Sequence, residues 1–145
     1  MTLNAPPPGT WSDSFGYLIN RLARKTSGQM KANLEPTDIS IKLFPCLMII
    51  ARAEGSNQRQ LGKGLGFPEY STSRAIDALV TAGFAERRAD PKSRRNMLIY
   101  LTPEGRKKAA SLPAIVQQTN GQMLEKLSLA EREQLMTLLK KAIAG

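Results

Sequence analysis

The sequence predicts a mainly α-helical fold with one small β-hairpin, and three observations support this prediction. Apolar residues recur at helical spacing along most of the 145-residue chain. Two short segments rich in aromatic and branched residues, FAERR (84–88) and MLIYL (97–101), are typical of strands. The segment between them, ADPKSRRN, begins with an Asp-Pro turn signal, so the two strands are expected to form a hairpin.

A short helix is predicted immediately before the hairpin. Pro68 and Glu69 suit its first turn, and Gly83 suits a left-handed cap at its end. Helical spacing places Thr72, Ile76, Leu79 and Val80 on the inner face, and Tyr70, Ser71, Ser73, Arg74 and Asp77 on the outer face. Short hydroxyl side chains would let this helix approach base edges in a DNA major groove, which is about 12 Å wide. An ordinary solvated helix has the same pattern, so both interpretations stay open here.

The predicted hairpin tip is strongly basic. Five basic side chains and a single acid, Asp90, lie between Arg87 and Arg95, which gives the segment a net charge of +4. The basic residues are Arg87, Arg88, Lys92, Arg94 and Arg95. A tip of this kind directly after such a helix is typical of a probe for phosphates or for the minor groove, and we rank a basic turn arising by chance second.

The order of these features resembles a known family. Helix, glycine, strand, an Asp-Pro-x-x-Arg-Arg tip, a second strand and Leu-Thr-Pro-Glu-Gly (101–105) are similar to the winged helix-turn-helix of the MarR family of bacterial transcription regulators. The resemblance implies that Ser71, Ser73 and Arg74 of the recognition helix and the wing arginines Arg94 and Arg95 contact double-stranded DNA. The predicted contacts are these five together with Thr72 and Lys92. Ser93 stands where the family usually has an Asp that orients an arginine, so Asp77 or Asp90 would orient it instead, or the arginine is looser.

Composition and charge agree with a polyanion partner. The net charge is +9 and the isoelectric point is near 10.1. A single cysteine excludes an intramolecular disulfide and fits a reducing cytoplasm. No apolar run approaches the roughly 20 residues of a membrane span, and no signal peptide is evident, so we expect a cytoplasmic protein.

The predicted organisation is one winged-helix domain with dimerisation helices at both chain ends. The expected ranges are a flexible tail (1–10), a single domain (11–145), a DNA-binding lobe within it (about 37–104) and dimerisation helices (about 11–31 and 105–145). The first helix, capped by Thr10 or Ser12, has an apolar stripe that starts at Trp11 and Phe15. The last helix begins with a capping box at Ser128 and has a second stripe. The resemblance implies that these helices form a homodimer, which would bind a pseudo-palindromic operator.

Two prolines conflict with long helices. Pro45 lies inside a predicted helix over 33–54, so this helix either kinks near Ile41 or begins only around Phe44. Pro113 should kink or split the helix that begins near Pro103. The resemblance implies a small lipophilic or aromatic effector in a cleft beside the Pro45 region, and Phe15, Phe44 and Leu47 are candidates to contact it.

The sequence argues against an enzyme. It has no histidine, one cysteine and no carboxylate or metal-ligand cluster, so no cofactor or metal is expected. Cys46 has apolar neighbours and is expected to be a buried, inert thiol. The leading interpretation is a homodimeric repressor relieved by a small molecule, with repression versus activation left open. The alternatives are an oxidant-sensing regulator that uses Cys46 and a winged-helix module that binds protein or RNA.

Overall fold

The computed structural model describes Gly9 and residues 11–145. Within these residues the chain forms six α-helices and a three-stranded antiparallel sheet. The helices are α1 (Phe15–Leu34), α2 (Phe44–Arg52), α3 (Gln58–Leu65), α4 (Glu69–Thr81), α5 (Pro103–Met123) and α6 (Leu129–Ile143). The strands are β1 (Ser56–Asn57), β2 (Ala85–Asp90) and β3 (Ser93–Leu101). The predicted fold class is confirmed.

The chain divides into two compact units. The terminal unit combines the described residues up to Asn33 with Gln117–Gly145, and the central unit is Leu34–Val116. The lobe predicted over 37–104 falls within the central unit. The predicted flexible tail (1–10) lies outside the described residues, apart from Gly9.

The first helix begins later than predicted. A 3₁₀ turn spans Trp11–Asp13, and α1 starts at Phe15, where the Ser14 hydroxyl accepts a hydrogen bond from the Tyr17 N–H at 3.3 Å. Of the two predicted caps, Thr10 lies outside the described residues, and Ser12 lies within the 3₁₀ turn. The start of the apolar stripe is exposed, with Trp11 66% and Phe15 70% accessible.

Polar side chains join α1 to the end of α5 within the terminal unit. Asn33 Nδ2 donates to Thr119 Oγ1 and to Gln122 Oε1, each at 2.8 Å. The buried Thr119 hydroxyl also contacts Met30 Sδ at 3.3 Å. Helix α6 follows with the predicted capping box, in which Ser128 and Glu131 exchange hydrogen bonds between side chain and backbone.

The two prolines lie at different places in their helices. Helix α2 begins at Phe44, so Pro45 lies in its first turn, where a missing N–H is tolerated. The alternative of a kink near Ile41 is therefore wrong, because 41–43 form a turn and not a helix. Helix α5 contains Pro113 in its interior and is not split. Leu112 and Thr119, on either side of this proline, are both buried.

The sheet has the order β1-β3-β2, and β2 and β3 form the predicted hairpin. The strands are longer than predicted, so that Arg94 and Arg95 lie in β3 and not in the loop. A tight turn at Pro91 and Lys92 joins the strands, and Asp90 Oδ1 accepts a hydrogen bond from the Lys92 N–H at 2.9 Å. This Asx interaction sets the turn, because the side chain replaces a backbone acceptor.

A compact apolar core supports the hairpin and the helices of the central unit. Its fully buried side chains include Leu47, Ile50, Leu61, Ile76, Leu79, Ile99, Leu101 and Leu112. They come from α2, α3, α4, α5 and β3, so these elements share one core that fixes their positions relative to one another. The exposed surfaces of α3, α4 and the hairpin are thereby held on a rigid support.

Candidate nucleic-acid interface

Helix α4 has no side-chain cap at its start, and its end is capped by a motif that is encoded locally. Pro68 precedes its first residue, Glu69, whose charge suits the positive end of the helix dipole. At its end Gly83 has φ +83°, its N–H donates to the Val80 carbonyl, and the Phe84 N–H donates to the Leu79 carbonyl. This is a Schellman motif, which glycine favours because it adopts positive φ without steric cost.

The inner face of α4 is packed as predicted, and this corrects one predicted DNA contact. Thr72, Ile76 and Leu79 have no exposed surface. The Thr72 hydroxyl donates to the Pro68 carbonyl at 3.3 Å, and a Cβ at Gly62 would lie 3.1 Å from it. Thr72 therefore packs against α3, and its side chain cannot reach DNA because it is enclosed.

The outer face of α4 carries a polar and aromatic stripe. Tyr70, Arg74 and Asp77 are exposed and follow one another at spacings of four and three residues, which places them on one side of the helix. Ser71 and Ser73 flank this stripe and are half-buried. Tyr70 is 68% accessible and was absent from the predicted contacts. Its position in the first turn, where recognition helices contact bases, was the signal that could have identified it.

Helix α3 lies before α4 and presents its own basic surface. Asn57 and Gln60 form a capping box at its start, with both side-chain-to-backbone hydrogen bonds at 2.9 Å. Gly66 ends it with φ +67°, a conformation that glycine adopts without steric cost. Arg59 and Lys63 are exposed.

The five basic side chains of the hairpin fall into two groups. Arg87 forms an ion pair with Asp77 of α4, and Arg88 pairs with Glu86 and lies 4.2 Å above the Tyr100 ring. The other three, Lys92, Arg94 and Arg95, are exposed, and none has an acidic partner within Gly9 and residues 11–145. Neither Asp77 nor Asp90 orients Arg94 or Arg95, because Asp77 pairs with Arg87 and Asp90 accepts from the Lys92 N–H. Of the three alternatives, the one that agrees with these contacts is the looser arginine.

A groove of about 430 Å³ separates the hairpin from the two helices. Arg95 and Arg87 line it from the hairpin, and Arg59 and Glu69 line it from α3 and α4. Asn96, Met97 and Ile99 of β3 also line this groove, whereas Arg94 does not. Ala89 and Asp90 lie opposite Met97 and Ser93, so 94–96 form an irregular part of β3 in which side chains need not alternate. The groove therefore distinguishes two neighbouring arginines that the sequence pattern did not separate.

A second groove, of about 530 Å³, lies on the other side of α4. Its lining residues are Ile41, Lys42, Leu43, Pro45, Phe67, Ser71, Arg74 and Ala75. None of the three predicted effector contacts lines it. Leu47 has no exposed surface, Phe44 is half-buried at the start of α2, and Phe15 is exposed in the terminal unit.

Glu54 anchors the base of the hairpin and was not identified from the sequence. Its Oε1 accepts a hydrogen bond from the Leu101 N–H at 2.8 Å, and Arg106 binds the same carboxylate at 3.1 Å. The Leu101 N–H, together with the Arg106 guanidinium, holds the pKa of Glu54 below its ordinary value. The stabilisation from this contact is therefore present above the ordinary pKa of a glutamate and disappears as the pH falls through the lowered value.

Cys46 is fully buried in α2, and burial raises its pKa to about 11. Because the thiolate is the reactive form, we expect folded protein at pH 8 to resist alkylation by iodoacetamide, while urea-unfolded protein reacts completely. Mass spectrometry of both samples measures the difference. Rapid labelling of the native protein would contradict this expectation and would restore Cys46 as a candidate oxidant sensor.

Comparison with known proteins assigns the chain. A relative from Clostridium symbiosum, the HTH-type transcriptional regulator BilQ, is 30% identical over 128 residues, which cover 88% of this chain and 89% of the relative. The model of the MarR family matches residues 38–96. The chain belongs to the MarR family.

Two further relatives also cover most of the chain. An HTH-type transcriptional repressor of Mycobacterium tuberculosis is 24% identical over 127 residues, 88% of this chain and 91% of the relative. The crystal structure of a mutant MarR from E. coli complexed with operator DNA is 29% identical and superimposes with a TM-score of 0.81, covering 88% of this chain and 91% of that one. This MarR-family chain is thus a transcription regulator by relationship.

The structure adds two negative findings for the part of the chain that it describes. Over Gly9 and residues 11–145, no helix has both the length and the apolar character to cross a membrane. Within the same residues, no group of three or more His, Cys, Asp or Glu side chains is placed to hold a metal ion. The predicted cytoplasmic location stays a prediction.

Proposed function

We propose that the chain is a sequence-specific regulator that binds double-stranded DNA with α4 in the major groove. The exposed stripe of Tyr70, Arg74 and Asp77, backed by a fully buried inner face, is the observation that carries this proposal. A helix with this division can insert its outer face between phosphate backbones while its inner face holds it to the core. Operator DNA in the related E. coli MarR complex supports it.

The exposed residues of α4 and those of the hairpin are proposed to contact different parts of the DNA. Arg74 is proposed to contact a guanine edge, because Arg to guanine is the commonest specific pairing. Ser71 and Ser73 are proposed to contact phosphates or base edges beside it. Lys92, Arg94 and Arg95 are proposed to contact phosphates or the minor groove.

Binding over a salt series, followed by selection of preferred sequences, tests this function. Affinity for random duplex DNA should fall steeply with salt, since each neutralised phosphate contributes about 0.9 to the logarithmic slope. Selection should enrich a two-fold-symmetric site. A flat slope without enrichment would overturn the proposal and would favour protein as the partner, while preferential binding of RNA would favour an RNA-binding module.

We further propose that the chain acts as a homodimer through its terminal helices. Trp11, Phe15 and Leu18 of the first stripe are exposed, as are Leu138 and Ile143 of α6. Exposed large apolar residues at both chain ends favour burial against a second copy. A two-fold dimer would place two α4 helices about 34 Å apart, in successive major grooves. Sedimentation equilibrium should give twice the mass of the 15.9 kDa chain, and a monomer would contradict the proposal.

Repression relieved by a small lipophilic or aromatic molecule is proposed from the family relationship, with Phe15, Phe44 and Leu47 as contacts. The burial of Leu47 means that such a ligand would reach it only after a local rearrangement. Thermal shift screening of aromatic acids and phenols, with operator binding as the second readout, would test this. A compound that stabilises the protein without changing operator affinity would not be an effector.

The two exposed arginines of β3 should contribute unequally. Arg95→Ala is expected to weaken binding to every duplex and to lower the salt slope by about 1 for each phosphate that is no longer neutralised, because Arg95 faces the groove beside α4. Arg94→Ala should also weaken binding to every duplex, but by less, since Arg94 does not line this groove. Fluorescence anisotropy with random and selected duplexes measures both effects. Weakening confined to one base step would contradict a phosphate role for either arginine.

A further inference from the structure

The hairpin arginine that faces α4 is paired with an acid on the proposed DNA-binding surface. Asp77 lies on the same outward stripe as Tyr70 and Arg74, and its side chain is 61% accessible. Arg87, 29% accessible, reaches it from β2 and lines the groove with Arg95. A carboxylate and a guanidinium that could each meet DNA therefore meet each other instead.

If either charge lacked its partner, the affinity for DNA would change, and the two charges would change it in opposite directions. An unpaired carboxylate on this face would repel the phosphates of any duplex. An unpaired guanidinium would attract the phosphates of any duplex, whatever the base sequence. Pairing the guanidinium with Asp77 removes that contact and so lowers the affinity for DNA of arbitrary sequence.

We infer that Asp77 and Arg87 form a charge-cancelling pair that positions the hairpin against α4 and suppresses binding to DNA of arbitrary sequence. This inference rests on the proposed DNA-binding function. Asp77 acts through Arg87 and is a positioning residue. The pair joins residues ten positions apart on two elements, α4 and β2, whose relative orientation sets where Arg95 meets a duplex.

A second ion pair in the same strand provides the matched control. Glu86 and Arg88 lie opposite Tyr100 and Leu98 in the sheet register, whereas Arg87 lies opposite the buried Ile99. Arg88 is held above the Tyr100 ring on the far face of the hairpin. Glu86→Gln therefore removes the ion-pair partner of an arginine one residue along the chain and on the face away from α4, where Glu54 is also near Arg88.

The test measures affinity for random duplex DNA against salt for D77N, R87Q, the double variant and E86Q. D77N should steepen the slope of log affinity against log salt concentration by about 0.9 for each freed arginine. When the salt concentration rises from roughly 50 to 200 mM, a D77N dimer should therefore lose about tenfold more affinity than the wild-type dimer loses. R87Q should weaken binding to random and selected duplexes, because Asp77 is then an unpaired anion. The double variant should return to the wild-type slope, and E86Q should match wild type throughout.

Several outcomes separate this role from simpler ones. If Arg87 is an ordinary phosphate contact, R87Q and the double variant will show the same reduced slope, which overturns the inference. If the pair is only structural, D77N and R87Q will lower the melting temperature and leave the slope unchanged, which also overturns it. Asp77→Glu keeps the charge and should restore the wild-type slope. Wild-type protein that binds no duplex would overturn the proposed function together with this inference, whereas an unaltered D77N slope overturns this inference alone.

Discussion

Replacing Gly105 with alanine is expected to destabilise the protein by several kcal/mol. Gly105 lies in the first turn of α5, where its N–H donates to the Thr102 hydroxyl at 3.0 Å. A Cβ at this position would lie 1.8 Å from the carbonyl oxygen of Phe84. That oxygen is a backbone atom, and it accepts a hydrogen bond from the Thr102 N–H at 3.1 Å, so it cannot rotate away.

Relief of this clash would have to break the junction between α4, the hairpin and α5. Phe84 is buried, and its N–H donates a hydrogen bond to the Leu79 carbonyl at 2.9 Å, which completes the cap of α4. The expected loss of stability is about 3 kcal/mol or more, at or above the usual 1–3 kcal/mol of overpacking, because the clash is with a backbone atom. The melting temperature measured by circular dichroism should fall by about 10 °C or more.

Gly121→Ala is the matched control in the same helix. Nothing lies within 4 Å of a Cβ built on Gly121, and the residue is exposed in α5. Alanine there should stabilise the helix by about 0.5–1 kcal/mol, because glycine loses more backbone entropy on folding. A Gly105→Ala protein that melts within about 2 °C of wild type would show that the Phe84 carbonyl can move cheaply.

Arg74→Ala is expected to remove one base preference from the selected site. Arg74 is exposed on α4 and forms no ion pair within Gly9 and residues 11–145, so it is available to a duplex. A bidentate contact to guanine contributes about 1–3 kcal/mol of discrimination, and the variant should therefore lose about 10- to 100-fold affinity for the selected site. Repeating the selection should show one relaxed position in each half-site.

Arg74→Lys separates charge from geometry. Lysine keeps the positive charge but lacks the planar fork that binds two acceptors at once. Binding of this variant to random DNA and its salt slope should match wild type, while the base preference is reduced. Because Arg74 is exposed, the melting temperature of both variants should stay at the wild-type value. An unchanged preference in Arg74→Ala would remove Arg74 from base recognition and direct attention to Tyr70.

The features that were predicted correctly depend on neighbours in the sequence. The Schellman motif at Gly83 and the capping box at Ser128 each need a few consecutive residues, so their chemistry is visible in the chain itself. The turn at Asp90 is of the same kind. The start of α2 was predicted as one of two alternatives because proline tolerance depends on the helix boundary, which Phe44 alone does not settle.

The features that were missed connect residues that are distant in sequence. Glu54 accepts a hydrogen bond from the Leu101 N–H, which is 47 positions away in the sequence, and no local sequence pattern predicts that contact. Thr72 was placed on the inner face by its periodicity and was also named among the predicted DNA contacts, and burial against Gly62 decides for the inner face.

By itself the sequence determined the mainly helical class, the hairpin, the helix caps, the basic character and the resemblance to the MarR family. The tertiary structure decided which of those basic side chains are available. It joined Arg87 to Asp77 and Arg88 to Glu86, and it placed Arg95, but not Arg94, in the groove beside α4. The physical reason is that net charge is a property of composition, whereas the charge that a partner meets depends on which groups packing brings within a few ångströms of each other.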